Sequence, residues 1–219
     1  MPDSILSLGN GAKTRRGAQT RARLVDAATT VFSECGYNAA RISDMVRLAG
    51  ISQGNFYRHF QSKDEILLAV LEGPLDDLRR VSRIPQGDQV VLSQLVASNR
   101  AFFAAYARHR HTFRVLREAA ATNPDFSRLW LKIRHGFVER TVHFLERLQA
   151  AGQLEPGVNL EMLAEGLGSI VEHLAYVHVG LATELPRGEM LDELGRMAGE
   201  AWFLMLTGRE RLSADRGKA

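Results

Sequence analysis

From Thr20 to Thr207 the apolar residues recur at helical spacing, and no segment alternates apolar and polar with period two. This periodicity excludes a sheet-based core and predicts an all-α fold. Leu24, Ala27, Ala28, Val31, Phe32 and Cys35 form one stripe, stopped by Gly36 and capped at its start by Thr20 or a near neighbour. Ile42, Met45, Val46 and Ala49 stand at i, i+3, i+4 and i+7 and end at Gly50. Ser52 can cap a third, short helix, on which Phe56 and Phe60 lie one turn apart and point inward. Ser62-Lys63-Asp64-Glu65 reads as a capping box, with Glu65 reaching back to the Ser62 amide, and opens a fourth helix that should kink or break at Gly73-Pro74. Further helical stretches lie near 88–108, 112–121, 125–151, 159–181 and 188–207, about nine helices in all.

With 219 residues, 45% of them hydrophobic, the chain can build one or two real cores. No apolar run approaches the roughly 18 residues that span a bilayer, and Met1 to Arg16 lacks the apolar core of a signal peptide. A cytoplasmic protein that does not engage membranes is expected. The single cysteine, Cys35, excludes an internal disulfide and a thiolate zinc site, and reads as a small buried residue at a helix end. The formal charge of +3 is unevenly spread: residues 1–63 hold nine Lys and Arg against four Asp and Glu, residues 64–219 nineteen against twenty-one. Basic charge gathers where a polyanion would be met.

Residues 1–18 read as a disordered basic arm, 19–64 as a first helical domain, 65–208 as a second, larger one, and 209–219 as a polar tail. The turn Leu48-Ala49-Gly50-Ile51 between the second and third helices makes a helix-turn-helix pattern, in which the start of the second helix of the pair enters the major groove. Gln53 and Asn55 can pair bidentately with adenine, and Gly54 lets the backbone approach. Tyr57, Arg58 and Lys63 can donate to phosphates, Arg41 to a phosphate or a base, and Ser52 and His59 complete the surface.

The run from Thr20 to Leu71, with Gly36-Tyr37, Ile42-Ser43-Asp44-Met45, Ala49-Gly50-Ile51-Ser52, Phe56-Tyr57-Arg58-His59-Phe60 and Ser62-Lys63-Asp64-Glu65, resembles the DNA-binding domain of TetR-family regulators. The resemblance covers about a quarter of the chain. It implies an amino-terminal three-helix helix-turn-helix domain joined to a helical-bundle effector-binding and dimerisation domain. It also implies a homodimeric repressor that holds double-stranded palindromic operator DNA and releases it when a small-molecule effector binds. Tyr57 and Lys63 match the family's phosphate ligands. Ala40-Arg41 stands where threonine is frequent, and Gln53 and Asn55 where Lys and Thr are, so the operator should be this chain's own.

Phe102, Phe103, Tyr106, Trp130, Phe137 and Tyr176, with Arg134 and His173 as polar anchors, suit a lipophilic effector inside a bundle. Leu167, Ile170, Leu174, Leu194, Ala201 and Met205 lie on the last two stripes, which by family resemblance form the dimer interface. Gly166-Leu167-Gly168 lacks the preceding strand of a dinucleotide site and is read as allowing close helix approach. The histidines lack metal-ligand spacing, so neither metal nor cofactor is expected, nor a catalytic residue. The alternative is an all-helical enzyme or lipid carrier whose basic start is incidental.

Overall fold

The computed structural model describes residues 15–81 and 87–208. Among them the regular structure is entirely helical: α1 (Arg15–Ala39), α2 (Ile42–Ala49), α3 (Gln53–Tyr57), α4 (Lys63–Val81), α5 (Leu92–Arg108), α6 (Arg110–Thr122), α7 (Pro124–Ala150), α8 (Leu160–Ala175), a π-helical turn (Tyr176–Gly180) and α9 (Gly188–Thr207). The all-α expectation holds, and the later helices fall close to their predicted stretches. No described helix is long and apolar enough to cross a membrane.

Local departures have local causes. α1 begins at Arg15, so residues 15–18 of the expected arm are helical, while 1–14 and the tail from 209 lie outside the described residues. Thr20 is no cap; its hydroxyl donates to the Arg16 carbonyl at 3.0 Å. Cys35 is exposed rather than buried, its thiol turned onto the Val31 carbonyl at 3.1 Å. α4 runs on through Pro74 without the expected break. A proline costs a helix interior about 3 kcal/mol, whereas Val70, Leu71, Leu75 and Leu78 are all buried along this stretch. At about 1.5–3 kcal/mol for each large side chain, that burial outweighs the lost hydrogen bond.

Two compact units divide the chain. The first comprises Met1–Asp77 and His111–Ser127, the second Leu78–Arg110 and Arg128–Ala219. The first therefore includes a segment, His111–Ser127, that lies far along the chain from the expected boundary at residue 64. Its core takes Leu24, Ala28 and Phe32 from α1, Met45 from α2, Phe56 from α3, and Ile66, Leu67 and Leu71 from α4.

In the second unit α5 lies against α9 at unusually short range. A β-carbon built at Gly195 would stand 2.8 Å from the backbone of Arg100, and one at Gly199 2.7 Å from that of Val96. Backbone thus meets backbone, through two glycines one turn apart. The glycines expected to play this part do not: the nearest atom to a β-carbon at Gly166 is the flexible end of Met205 at 3.8 Å, and at Gly168 nothing lies within 4 Å. α9 is joined to α8 by the Trp202 indole, which donates to the Leu167 carbonyl at 3.0 Å. Asn159 caps α8 by accepting from the Met162 amide at 2.9 Å.

Gly199→Ala should force α5 and α9 apart and lower the unfolding free energy by about 1–3 kcal/mol or more. Gly168→Ala should instead raise it by about 0.5–1 kcal/mol, the gain in helix propensity. Urea unfolding of both variants checks the contrast, and equal midpoints would contradict the close crossing.

Candidate functional site

α2 ends in a glycine cap that sets the angle at which α3 departs. Gly50 takes φ 64°, its amide returns to the Arg47 carbonyl at 3.2 Å and the Ile51 amide to Val46 at 3.1 Å, the paired bonds of a Schellman motif. The Arg23 guanidinium of α1 donates to the Ala49 carbonyl in the same turn. Ser52 then starts α3, its hydroxyl accepting from the Asn55 amide at 3.3 Å.

α3 has five residues, and its inward side is held by two rings. Phe56 is 0% and Phe60 1% exposed, with centroids 5.9 Å apart and the Arg21 guanidinium 4.9 Å above Phe60. Fixing those rings turns the other residues outward. Ser52, Gln53, Gly54, Tyr57 and Arg58 are exposed, Asn55 and His59 half-buried, and Arg41 is exposed at the start of α2. A β-carbon at Gly54 would meet nothing within 4 Å, so the backbone there is open to an approaching partner. Burial, then the charges of Arg58 and Arg21, hold the His59 imidazole below its ordinary pKa of 6.5.

Lys63 sits differently from the other residues of this set. Its ammonium donates to the Tyr37 carbonyl at 2.7 Å and lies 4.4 Å above the Tyr37 ring. It occupies the carbonyls left open where α1 stops. The capping box also closes one residue early: Ser62 accepts from the Glu65 amide at 3.1 Å, but the Glu65 carboxylate accepts from Gln61, not from Ser62.

The same corner is fastened by α6, which sequence reasoning missed. Gly36 takes φ 76°, and a β-carbon there would run into the Glu118 carboxylate. Glu118 accepts from the Tyr37 and Asn38 amides, each at 2.9 Å. The Tyr37 hydroxyl donates to Asp64 at 2.6 Å, and Asn123 donates to the other Asp64 oxygen at 3.0 Å. Burial, then the bond to Asp64, raises the Tyr37 phenol above its usual pKa.

In the second unit four of the expected effector residues come together. Phe102 lies 5.7 Å from Phe103, 6.1 Å from Tyr106 and 6.3 Å from Phe137, centroid to centroid. Phe103 and Tyr106 are buried; Phe102, Phe137, Trp130 and Tyr176 are half-buried. Tyr176 opens the π-helical turn that ends at Gly180, beside the Tyr106 hydroxyl. His173 is exposed. Arg134 is not turned toward these rings as a ligand anchor: it pairs with Glu165 and Glu172 and donates to Ser169 at 2.9 Å. Of the expected interface residues, Leu167 and Leu194 are buried within their own protomer, whereas Ile170, Leu174, Ala201 and Met205 are half-exposed. The exposed apolar side chains of α9 are Met190, Met197 and Leu204, spaced by seven and so aligned on one stripe.

Residues 24–70 match the family model described as bacterial regulatory proteins, tetR family, and residues 96–197 match that of the transcriptional regulator EthR, C-terminal domain. Over 61 residues the chain is 43% identical to the A-factor receptor protein of Streptomyces griseus, covering 28% of this chain and 22% of that protein. Over 58 residues it is 43% identical to the HTH-type transcriptional repressor KstR2 of Rhodococcus jostii (strain RHA1), covering 26% and 28%. These two matches thus span under a third of each relative's length. The HTH-type transcriptional repressor ComR of Escherichia coli (strain K12) is 26% identical over 185 residues, covering 80% of this chain and 83% of its own. Among solved structures, Salmonella enterica GusR superposes with a TM-score of 0.69 at 19% identity, over 90% of this chain and 99% of that one. A transcriptional regulator from Aquifex aeolicus VF5 gives 0.65 at 19% identity, over 83% and 98%.

Glu118→Ala should remove two charge-assisted bonds from the end of α1 and lower stability by about 1.5–3 kcal/mol. Glu118→Gln, which retains one acceptor, should lose less. The order of their urea midpoints, at unchanged slope, is the measurement.

Proposed function

Because this chain is a member of the TetR family of bacterial transcriptional regulators, and not an enzyme, we propose that it is a homodimeric, cytoplasmic repressor of a palindromic operator. A small lipophilic effector in the second unit releases it. The observation that carries the DNA half of this reading is α3, an exposed polar edge held rigid by two fully buried phenylalanines. Gln53 and Asn55 read base edges, preferring adenine. Arg41, Tyr57 and Arg58 contact phosphates, with Ser52, Gly54 and His59 lining the approach. Lys63 joins them by exchanging the Tyr37 carbonyl for a phosphate oxygen.

For the effector half, the support is the gathering of Phe102, Phe103, Tyr106 and Phe137, which offers an apolar body several rings to lie against. Trp130, His173 and Tyr176 complete the set, while Arg134 acts by holding α7 to α8. For the dimer, the support is the stripe Met190–Met197–Leu204 on α9 with Met162, Val177 and Leu181 of α8 and its π-helical extension, all exposed in a single protomer. Ile170, Leu174, Ala201 and Met205 flank it, and Leu167 and Leu194 back it from the core.

Gel shifts with the DNA upstream of the chain's own gene test the reading. Gln53→Ala and Asn55→Ala should each weaken binding by about 1–3 kcal/mol and change base preference at one position per half-site. Tyr57→Phe should weaken all sequences alike, and Arg58→Ala should lower the slope of log affinity against log salt by about one. Identical behaviour of both groups across an operator library would refute the division of roles.

Met197→Arg combined with Leu204→Arg should leave the helical content unchanged and convert the dimer to monomers that no longer bind a palindrome. An intact dimer by sedimentation would remove α9 from the interface.

A further inference from the structure

Three of the four arginines of α7 differ in how their charge is met. Arg134 has two carboxylates and a serine. Arg147 donates through Nη1 to the His143 carbonyl at 3.1 Å, while its Nε alone is closed to solvent and makes no hydrogen bond. Arg140 has its Nε and Nη2 closed to solvent with no hydrogen-bond partner. It is half-buried, as is Phe137 one turn before it, at the edge of the buried stripe Ile133, Thr141 and Phe144, and its guanidinium lies 4.4 Å above the Phe137 ring. The adjacent carboxylate, Glu139, lies 3.2 Å from His135 and favours the Arg140 charge through space, without a hydrogen bond to it. The nearby charge contributed by α4 is Arg79, of the same sign; burial, and then Arg79, hold the Arg140 guanidinium below its ordinary pKa.

An aromatic face offsets only part of the cost of burying a cation, and two unmet charged donors are expensive. These two donors are also particular ones. Nε–H and Nη2–H point the same way from one edge of the guanidinium plane, the edge that meets both oxygens of a carboxylate side-on. Beside them the rings of Phe137, Phe102 and Tyr106 succeed one another at 6.1 to 6.3 Å.

We propose that Arg140 is the anchor for the carboxylate of an acidic effector, whose apolar body lies along Phe137, Phe102 and Tyr106. This rests on the reading that the second unit takes a lipophilic effector, and narrows that effector to carboxylic acids. The acid completes the unmet edge of Arg140 and offsets its repulsion from Arg79. A neutral ligand of the same shape fills the aromatic surface but leaves the charge unmet.

The test is thermal unfolding of the full chain with matched probes: decanoate against decan-1-ol, and 4-phenylbutanoate against 4-phenylbutan-1-ol. At equal free concentration at least one acid should raise Tm more than its alcohol, corresponding to at least a tenfold preference in Kd. Arg140→Met should abolish that preference while leaving the ligand-free Tm equal or higher, since a half-buried charge with two unmet donors has been removed. A structural arginine would give the opposite, a lowered ligand-free Tm. The proposal is overturned if the acids hold no advantage in the parent protein, if none of the four probes shifts Tm, or if Arg140→Met keeps the preference. Should that variant not fold, the acid-over-alcohol comparison in the parent decides alone. Failure of the regulator reading shows separately, as a parent chain that does not shift its upstream DNA whatever the ligands do.

Discussion

A helix of five residues has no standing of its own. Nucleation costs more than so few hydrogen bonds return, and isolated helices shorter than about 12 residues are marginal in water. α3 exists because Phe56 and Phe60 are wholly buried, because Ser52 supplies the first acceptor, and because the glycine cap of α2 delivers the chain at the right angle. The exposed edge of α3 is therefore a product of tertiary packing. Gln53, Tyr57 and Arg58 are free to face a partner since other residues carry the stability.

The second unit solves a different problem, that of bringing long helices together without a loss of order. At the α5–α9 crossing the contact is between backbones, so its geometry is nearly rigid. The charges on α7 express the opposite economy. Arg134 is a clamp, satisfied by two acids on α8, and Arg140 is left with an open edge. A residue type that sequence presents as uniform thus splits into a fastening and an unmet donor edge, according to which groups α8 and α4 place opposite it.

Much of the fold is legible in the sequence because helical periodicity and caps are local. The stripes of α1 and α2, the stop at Gly50, the inward Phe56 and Phe60 and the serine of the capping box all depend on neighbours within a few residues. The features that escape such reading are set across long separations. Glu118 meets Tyr37 and Asn38 about eighty positions earlier, and nothing in either segment announces the other. Gly195 and Gly199 carry the close approach that Gly166 and Gly168 suggest, since spacing alone does not say which face a partner helix will cover. By residue type Lys63 and Arg134 look like cations open to a ligand, but carbonyls and carboxylates from elsewhere claim them. Leu167 and Leu194 belong to stripes that serve the core before they serve a partner.

The exposure of Cys35 gives the molecule an addressable point. It is the one thiol in the sequence, it lies one residue before α1 kinks at Gly36, and it is open to solvent. A spin label or a dye attached there is confined to one position per protomer, so a homodimer would carry two labels and a single label-to-label distance. In the proposed dimer that distance would follow the separation of the two α3 edges as ligand is added, in a protein whose sequence has not been altered.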